Sequence, residues 1–361
     1  MKIKSTIFLL GLLTCICAGW IKSHPKKVSK PTPLAFIVPK GWPQPVYNFK
    51  ENPLTKEGFA LGRTLFYDGR LSKDGNFPCA SCHQQFAAFS NYDHSLSHGY
   101  NNSLSARNAP GLFNLAWQNA FMQDGGINHL DLQPLQPLTA PKEMAESIDS
   151  VLNKLRKDKN YRAMFKAAFG SELINTQRMT KALSQFLLMM VSSNSKYDKV
   201  MRGEAGFNLP EQLGYDIYKK KCASCHAEPF FTDFSYRNTG FAIDDYLHDE
   251  GRMRITGKSA DSLKFRVPSL RNAAVSFPYM HDGRVYSLLD VMNHYRNSVI
   301  KGPTTDSLVA NKIPLSNFEI GQLTAFIYSL TDSSFIHDAR FSPATEREKE
   351  AQLKSHLQHI K

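Results

Sequence analysis

Cys79-Ala80-Ser81-Cys82-His83 and Cys222-Ala223-Ser224-Cys225-His226 are the two most informative stretches of this 361-residue sequence. A Cys-x-x-Cys-His pentapeptide is the attachment site of a c-type haem, whose vinyl groups form thioethers with the two thiols. The spacing puts both sulfur atoms on one side of a helical turn, and the adjacent histidine becomes the proximal ligand of the iron. Two copies with the same Ala-Ser filler predict two covalent haem c groups, with His83 and His226 as proximal ligands.

Cys-x-x-Cys pairs also occur in zinc sites and in redox dithiols. Zinc sites built from two such pairs usually separate them by about 12–20 residues. Here Cys79 and Cys222 are 143 residues apart (222 minus 79). The spacing therefore favours two haem sites over a zinc site or two redox dithiols.

Residues 1–20 have the pattern of a secretory signal peptide. Lys2 and Lys4 precede an apolar run over residues 7–16, and small residues follow. This order is typical of export, and the run is too short to span a bilayer comfortably. Because c-type haem is attached outside the cytoplasm, we predict a periplasmic protein. Cys15 or Cys17 would alternatively carry a lipid anchor, although the residues before each form a poor lipidation signal.

The composition agrees with an exported protein of two domains. The other four cysteines belong to the haem motifs, which leaves no thiol for a disulfide in the mature chain. Without the leader, roughly 340 residues remain, more than one typical domain. The net charge of +12 would attract an acidic face on a soluble electron donor. Nucleic acid is an implausible partner for an exported haem protein, and no other segment resembles a membrane span.

The two halves of the sequence are similar to each other. Residues 110–114 (PGLFN) match residues 268–272 (PSLRN) at an offset of 158 (268 minus 110), and residues 122–125 (MQDG) match residues 280–283 (MHDG) at the same offset. Such agreement without a gap indicates an internal duplication. We therefore predict two tandem c-type cytochrome-like haem domains, related by duplication.

The spacing of apolar residues and the positions of Gly, Pro and Asn predict a mainly α fold with long loops. Helices are expected over residues 56–66, 147–157, 161–169, 176–191, 211–221, 288–295 and 317–330. The last has a capping box at Ser316 and Glu319, and Phe318, Leu323, Phe326, Ile327 and Leu330 are predicted to be core. No sustained alternation predicts a substantial sheet. The expected organisation is a linker over 21–41, an N-terminal haem domain over 42–200, a C-terminal haem domain over 201–341 and a charged tail over 342–361.

The function depends on what lies on the other side of each iron, because an open or releasable position permits chemistry and a second permanent ligand favours electron transfer. In the first half, His98 lies 15 residues after His83 (98 minus 83) and is a candidate second ligand; His94 and His129 compete with it. Glu143 and Gln133 would suit peroxide cleavage. A carboxylate would carry the proton between the two oxygens, and an amide would hydrogen-bond the bound oxygen.

These motifs resemble those of the bacterial dihaem cytochrome c peroxidase family, which also contains the methylamine-utilisation enzyme MauG. The resemblance covers about residues 50–332. Besides the haem motifs, it rests on His98-Gly99, Arg107-Asn108-x-Pro110, Asp124-Gly125, Gln133, Glu143-Met144 and Pro278-Tyr279-Met280-His281-Asp282-Gly283. It implies that the N-terminal haem is peroxidatic and that the C-terminal haem relays electrons. His98 then takes the place of a releasable distal ligand, and Gln133 and Glu143 belong to the distal pocket. Many members of the family are dimers, so a homodimer is possible.

The resemblance further implies a calcium ion between the two domains. Its ligands would include the Asn108 side chain and the carbonyl oxygens of Ser276 and Pro278.

Two positions depart from the pattern of the peroxidases. Their second haem has a Met ligand 14 residues after the histidine of the Pro-Tyr-x-His block, and counting from His281 reaches Tyr295, as in MauG. His294, Met292 and Met280 are alternatives, and a packed helix residue is another use for this tyrosine. Tyrosinate would stabilise oxidised iron and lower the haem potential, whereas Met does the reverse. The second departure is Gln123, which stands where the family usually has a Trp between the haems; Trp117 or Tyr100 would offer another path.

Together, these observations favour a periplasmic dihaem peroxidase. It would reduce hydrogen peroxide to water at the N-terminal haem, with electrons from a small cytochrome c or cupredoxin. The alternatives are a MauG-like oxidase that modifies side chains of a partner protein and a dihaem electron carrier without catalysis.

Overall fold

The structure, a computed structural model, describes residues 30–345. The predicted signal peptide, with Cys15 and Cys17, and most of the predicted tail lie outside the described residues. No helix between residues 30 and 345 is long and apolar enough to cross a membrane.

The described chain is mainly helical, as the sequence predicts. Its α-helices are α1 Lys56–Phe66, α2 Cys79–Cys82, α3 Leu135–Thr139, α4 Ile148–Lys157, α5 Lys159–Phe169, α6 Thr176–Leu188, α7 Lys196–Met201, α8 Leu209–Lys221, α9 Met253–Thr256, α10 Leu288–Asn293, α11 Ser307–Ala310, α12 Asn317–Ser329 and α13 Ser333–Ile336. A π-helical turn, His294–Ser298, continues α10. Short 3₁₀ turns are Gly69–Leu71, Gln85–Ala87, Tyr100–Asn102, Leu115–Trp117, Leu130–Leu132, Ser259–Asp261, Ala273–Val275 and Ala339–Phe341. The strands β1 Tyr236–Arg237 and β2 Phe265–Arg266 form one antiparallel pair.

Local capping chemistry explains several of the helix starts. The predicted capping box at Ser316 and Glu319 is confirmed at the start of α12. Asn208 and Glu211 form a second capping box on α8, and the Thr55 side chain accepts a hydrogen bond from the N–H of Gly58 on α1. Each satisfies backbone groups that the first helical turn leaves without partners.

The prediction that Phe318 belongs to the core is wrong. Its side chain is 64% exposed, whereas Leu323, Phe326, Ile327 and Leu330 are buried. Five residues separate Phe318 from Leu323, which rotates their side chains about 140° apart on a helix of 3.6 residues per turn.

Each half of the molecule has its own hydrophobic cluster around a close helix pair. In the first, α1 packs on α6 so closely that a Cβ on Gly62 would lie 2.0 Å from the carbonyl oxygen of Ala182. In the second, α8 packs on α12, and a Cβ on Gly214 would lie 2.0 Å from the carbonyl oxygen of Gln322. Only glycine permits such approaches.

Local backbone features recur at the offset of 158 residues. Left-handed residues, 3₁₀ turns and isolated β-bridges occur at equivalent positions in the two halves. The pairs are Asn114 and Asn272, Met122 and Met280, Leu115–Trp117 and Ala273–Val275, and the bridges Phe121–Ile127 and Tyr279–Val285.

The two ends of the described chain both pack on the first cluster. In the segment predicted as a linker, Thr32 hydrogen-bonds Glu57 through both its N–H and its hydroxyl (2.7 and 2.8 Å), and Leu34, Phe36 and Val38 pack against the core. At the other end, Phe335, Ile336 and Phe341 are buried in the first cluster, although the predicted boundaries assign them to the C-terminal domain. Their sequence gives no sign of which core they join.

Candidate haem sites

The first haem motif forms a short helix that ends at its histidine. Cys79 and Cys82 begin and end α2, and His83 follows as its C-cap. The His83 Nδ1–H donates to the carbonyl of Phe89 at 2.8 Å. This bond fixes the tautomer that leaves Nε2 for a metal, which is the usual arrangement of a metal-binding histidine. Burial lowers the pKa of His83, so the ring is neutral and able to coordinate.

The second motif holds its histidine in a similar way, but its residues form turns rather than a helix. Cys222 is the C-cap of α8, and the His226 Nδ1–H faces the carbonyl oxygens of Pro268 (3.0 Å) and Phe231 (3.2 Å). Burial lowers the pKa of His226 as well. None of the four motif cysteines forms a disulfide within the described residues, so all four are available for thioethers to haem.

A cavity of about 620 Å³ adjoins the second motif and extends to residues of the first half. Its lining includes Cys222, Cys225 and His226, and its volume lies in the range of cofactor sites. Arg237 and Arg266 also line it, and each has a buried guanidinium nitrogen without a hydrogen-bond partner among the described residues. A haem carries two propionate carboxylates, so thiols, histidine and orphaned arginine donors together fit this group.

Tyr295 lies in the same cavity as the second motif. Burial raises the pKa of its phenol, and the nearby thiols of Cys222 and Cys225 add to the effect. The structure therefore brings Tyr295 together with the second motif, as the predicted role requires.

The alternatives to Tyr295 differ in their surroundings. His294 is engaged elsewhere, because its Nε2–H donates to the carbonyl of Thr239 at 2.8 Å and its ring stacks on Phe241. Met280 and Met292 line the cavity and remain geometrically possible.

Glu143 lies close to the first motif. Burial raises the pKa of the Cys82 thiol, and the charge of Glu143 raises it further. Burial also raises the pKa of Glu143 itself. Its carbonyl accepts the N–H of Tyr100 at 2.7 Å, which joins it to the loop that carries His98. The site thus contains a carboxyl group that holds a proton more readily than usual.

His98 lies on this loop but is exposed in the structure. Its Nδ1 is 2.8 Å from the Asn102 Oδ1, so Nδ1–H donates and Nε2 is left for another partner. Among the competitors, His94 is exposed, with its ring 5.5 Å from that of His98. His129 instead caps the 3₁₀ turn after it, where its Nδ1 accepts the N–H of Asp131.

Gln133 and Gln123 both line the cavity. Gln133 Nε2 lies 3.7 Å from the Met122 Sδ, a weak contact that leaves the amide able to turn to a ligand. Gln123 Nε2 donates to the carbonyl of Asn108 at 2.9 Å. The backbone carbonyl of Gln123 accepts the N–H of Arg266 at 2.7 Å, so this residue lies where the two halves meet.

The three residues of the predicted calcium site, Asn108, Ser276 and Pro278, line the same cavity. The backbone N–H of Asn108 donates to the carbonyl of His281 at 2.8 Å, which places them where the halves meet. Within residues 30–345 there is no group of three or more His, Cys, Asp or Glu side chains able to hold a metal ion.

Arginines join the two halves, a role that their sequence neighbours do not indicate. Arg107 forms an ion pair with Asp249 through Nε and Nη2 (2.6 and 2.9 Å) and with Asp124 through Nη1 (2.5 Å). Arg266 and Arg237 have no distinguishing neighbours in sequence. They are distinguished only by one buried guanidinium nitrogen in each that has no hydrogen-bond partner among the described residues.

Comparison with known proteins identifies the family. The model of the di-haem cytochrome c peroxidase family matches residues 56–206. The methylamine utilization protein MauG of Methylophilus methylotrophus is 31% identical over 350 residues, which cover 95% of this chain and 100% of that protein. The chain belongs to the di-haem cytochrome c peroxidase family.

Two further relatives of this family are similar over most of their length. The cytochrome c551 peroxidase of Nitrosomonas europaea is 32% identical over 276 residues, 75% of this chain and 79% of that protein. The crystal structure of a MauG-like protein associated with microbial copper homeostasis superimposes with a TM-score of 0.78 at 34% identity, covering 86% of this chain and 99% of that chain. The family is one of enzymes, di-haem peroxidases and oxidases, and it implies two haem c groups.

Proposed function

We propose that this protein is a dihaem peroxidase that reduces hydrogen peroxide to water with electrons from a small cytochrome c or cupredoxin. The observation that carries the proposal is the half-buried Glu143 carboxyl beside the first haem motif, with its pKa raised by burial. Raising the pKa of a carboxyl group brings it closer to neutral pH, which makes it better suited to receive and return a proton.

The haem bound at Cys79, Cys82 and His83 supplies the iron redox chemistry. Glu143 carries the proton that must move between the two oxygens of peroxide, and the Gln133 amide donates a hydrogen bond that orients the substrate. His98, on the loop joined to Glu143 through Tyr100, would be a releasable ligand of this iron and would admit substrate when displaced.

The second candidate function is a MauG-like oxidation of a partner protein's side chains. The position of Tyr295 in the cavity of the second motif favours it, because an anionic oxygen ligand stabilises oxidised iron. Relatives named MauG that are similar over most of the chain also support it.

One experiment separates the two candidates. Purified holoprotein is mixed with peroxide and a reduced small cytochrome, and consumption of both is followed by absorbance. A peroxidase turns over many times with this donor, whereas a MauG-like enzyme does so poorly and needs a protein substrate. If both haems stay six-coordinate and peroxide is not consumed, the protein is an electron carrier and the proposal is wrong.

We also propose that the halves arose by internal duplication and correspond to the haem domains 42–200 and 201–341. The equivalent glycine crossings at Gly62 and Gly214 and the features that recur at an offset of 158 support this origin. An experimental structure in which the backbones of the two halves follow unrelated paths would contradict it.

The remaining proposals concern calcium, location and assembly. A calcium ion would be held by the Asn108 side chain and the carbonyls of Ser276 and Pro278, oxygen ligands of the kind that calcium prefers. Elemental analysis before and after chelation tests it, with Asn108→Ala expected to lose the metal. We further propose a periplasmic location, supported by the leader, and a homodimer, which sedimentation of the holoprotein tests.

A further inference from the structure

Arg266 is a largely buried cation that forms no ion pair with any residue between 30 and 345. Its Nη2–H donates to the carbonyl of Ala120 (2.5 Å) and to the Tyr236 hydroxyl (2.8 Å), and its backbone N–H donates to the carbonyl of Gln123 (2.7 Å). All these partners are neutral. Its Nη1, which carries two N–H groups, is buried and has no partner within residues 30–345.

Other arginines around the same cavity differ in this respect. Arg237 is paired with Asp233 and Asp306, and Arg271 is paired with Asp198. No carboxylate of the described residues lies within ion-pair distance of Arg266. A buried guanidinium usually has such a partner, because an isolated buried charge is costly.

A second arginine lies beside Arg266, and the nearest carboxylates are paired elsewhere. Arg252 lies 4.1 Å and Arg266 5.1 Å from the ring centroid of Tyr236. Asp124 and Asp249 are both ion-paired with Arg107. Burial lowers the pKa of Arg266 and the charge of Arg252 lowers it further, while Tyr236 and Asp124 act in the opposite direction.

We propose that Arg266 binds a carboxylate in the cavity through Nη1, and that this carboxylate is a haem propionate. The haem of the second motif is the expected source, because Cys222, Cys225, His226 and Arg266 line one cavity. Arg266 also bonds the first half through Ala120 and Gln123, so the same side chain links a haem to the junction between the halves. This role requires only that the haems are attached and is independent of which reaction they perform.

The test is Arg266→Gln in the holoprotein, with Arg252→Gln as the matched control. Both changes remove one positive charge from the same cluster, but Arg252 already uses its Nη1 on the carbonyl of Asp124 (2.8 Å). The midpoint potentials of the two haems are measured by spectroelectrochemistry, and the propionate bending bands by resonance Raman. Neither readout depends on turnover.

We expect Arg266→Gln to lower one of the two potentials and to shift a propionate band, because the cation stabilises the more negative reduced state. Arg252→Gln should shift both less. A shift in the potential of the first haem would support the anchor and assign the propionate to that haem. Unchanged potentials and bands, or equal shifts in the two variants, would overturn the proposal. If Arg266→Gln does not retain both haems, Arg266→Lys keeps the charge and should show a smaller shift and an altered Raman band.

Discussion

Arg271 and Asp198 form a bidentate ion pair in which Nη1 and Nη2 each lie 2.8 Å from one carboxylate oxygen. The Arg271 side chain is fully buried and that of Asp198 is 6% exposed. The guanidinium also lies 4.9 Å from the ring centroid of Trp42. The pair therefore joins α7 to the segment around Arg271, and the guanidinium also contacts Trp42 near the start of the described chain.

Removing one partner of this pair should destabilise the fold. Asp198→Asn leaves a buried guanidinium without its anion, and we expect the free energy of unfolding to fall by about 3–5 kcal/mol. Urea denaturation of the holoprotein measures it. Asp216→Asn is the control, because the pair of Asp216 with Lys219 is exposed and should contribute no more than about 1 kcal/mol. If both variants lost the same free energy of unfolding, burial would not explain the contribution of the Arg271–Asp198 pair.

The same pair predicts a pH dependence of stability. Burial alone would raise the pKa of Asp198, but the hydrogen bonds from Arg271 outweigh it and hold the pKa below its ordinary value. The unfolded chain therefore takes up the proton first, and the stabilisation is lost as the pH falls. Wild type should exceed Asp198→Asn in stability fully above about pH 5 and progressively less below about pH 4. Denaturation at a series of pH values checks this, and a constant difference would exclude it.

Glu143→Gln should reduce peroxide turnover on the order of 10²-fold or more, because the amide cannot carry the proton. Steady-state consumption of peroxide with a reduced donor measures it. Glu146→Gln is the control: Glu146 is three residues away and paired with Lys154 at 2.5 Å, outside the proposed chemistry. Near-normal activity of Glu143→Gln would remove Glu143 from the mechanism.

Tyr295→Met should raise the potential of one haem and leave the other nearly unchanged, because a soft neutral ligand favours reduced iron. Spectroelectrochemical titration reports both potentials. Tyr328→Met makes the same change at a residue that is 61% exposed and should alter neither. If both variants give wild-type potentials, Tyr295 is not a ligand.

His98→Ala should change the ligation of the first haem and leave the second as it is. Loss of a releasable ligand converts a six-coordinate iron into a five-coordinate one, which low-temperature EPR of the resting protein detects as high-spin signal. His94→Ala, at the exposed neighbouring histidine, should leave the spectrum unaltered. The reverse result would make His94 the ligand.

Much of the helical framework follows from short-range sequence features. The predicted range 56–66 is the observed α1, and the capping residues Ser316 and Glu319 mark the start of α12. Tyr295 lies 69 residues after His226 (295 minus 226), so only the family resemblance, counted from His281, pointed to it as a residue of the second haem site. Phe318 is exposed because it lies about 140° around the helix axis from the buried Leu323.

Contacts between residues far apart in sequence could not be predicted from such short-range features. Arg107 and Asp249 are 142 residues apart, and their ion pair depends on how the two halves meet. Arg266 is distinguished only by a nitrogen that no described group reaches. Whether a charge is buried depends on the packing of the whole fold, so no local sequence pattern predicts it.

Residues 335–341 bear on the order in which the two halves can fold. Phe335 and Phe341 each lie within about 6 Å of Phe89 (5.8 and 6.3 Å between ring centroids), and the Tyr67 hydroxyl donates to the carbonyl of Phe341 at 2.7 Å. Domains commonly fold in order of synthesis, N-terminal first. Here the first cluster is incomplete until residues 335–341 have been synthesised. A nascent chain stalled after Leu330 would contain all the buried residues of the second cluster, yet its first cluster would stay unfinished.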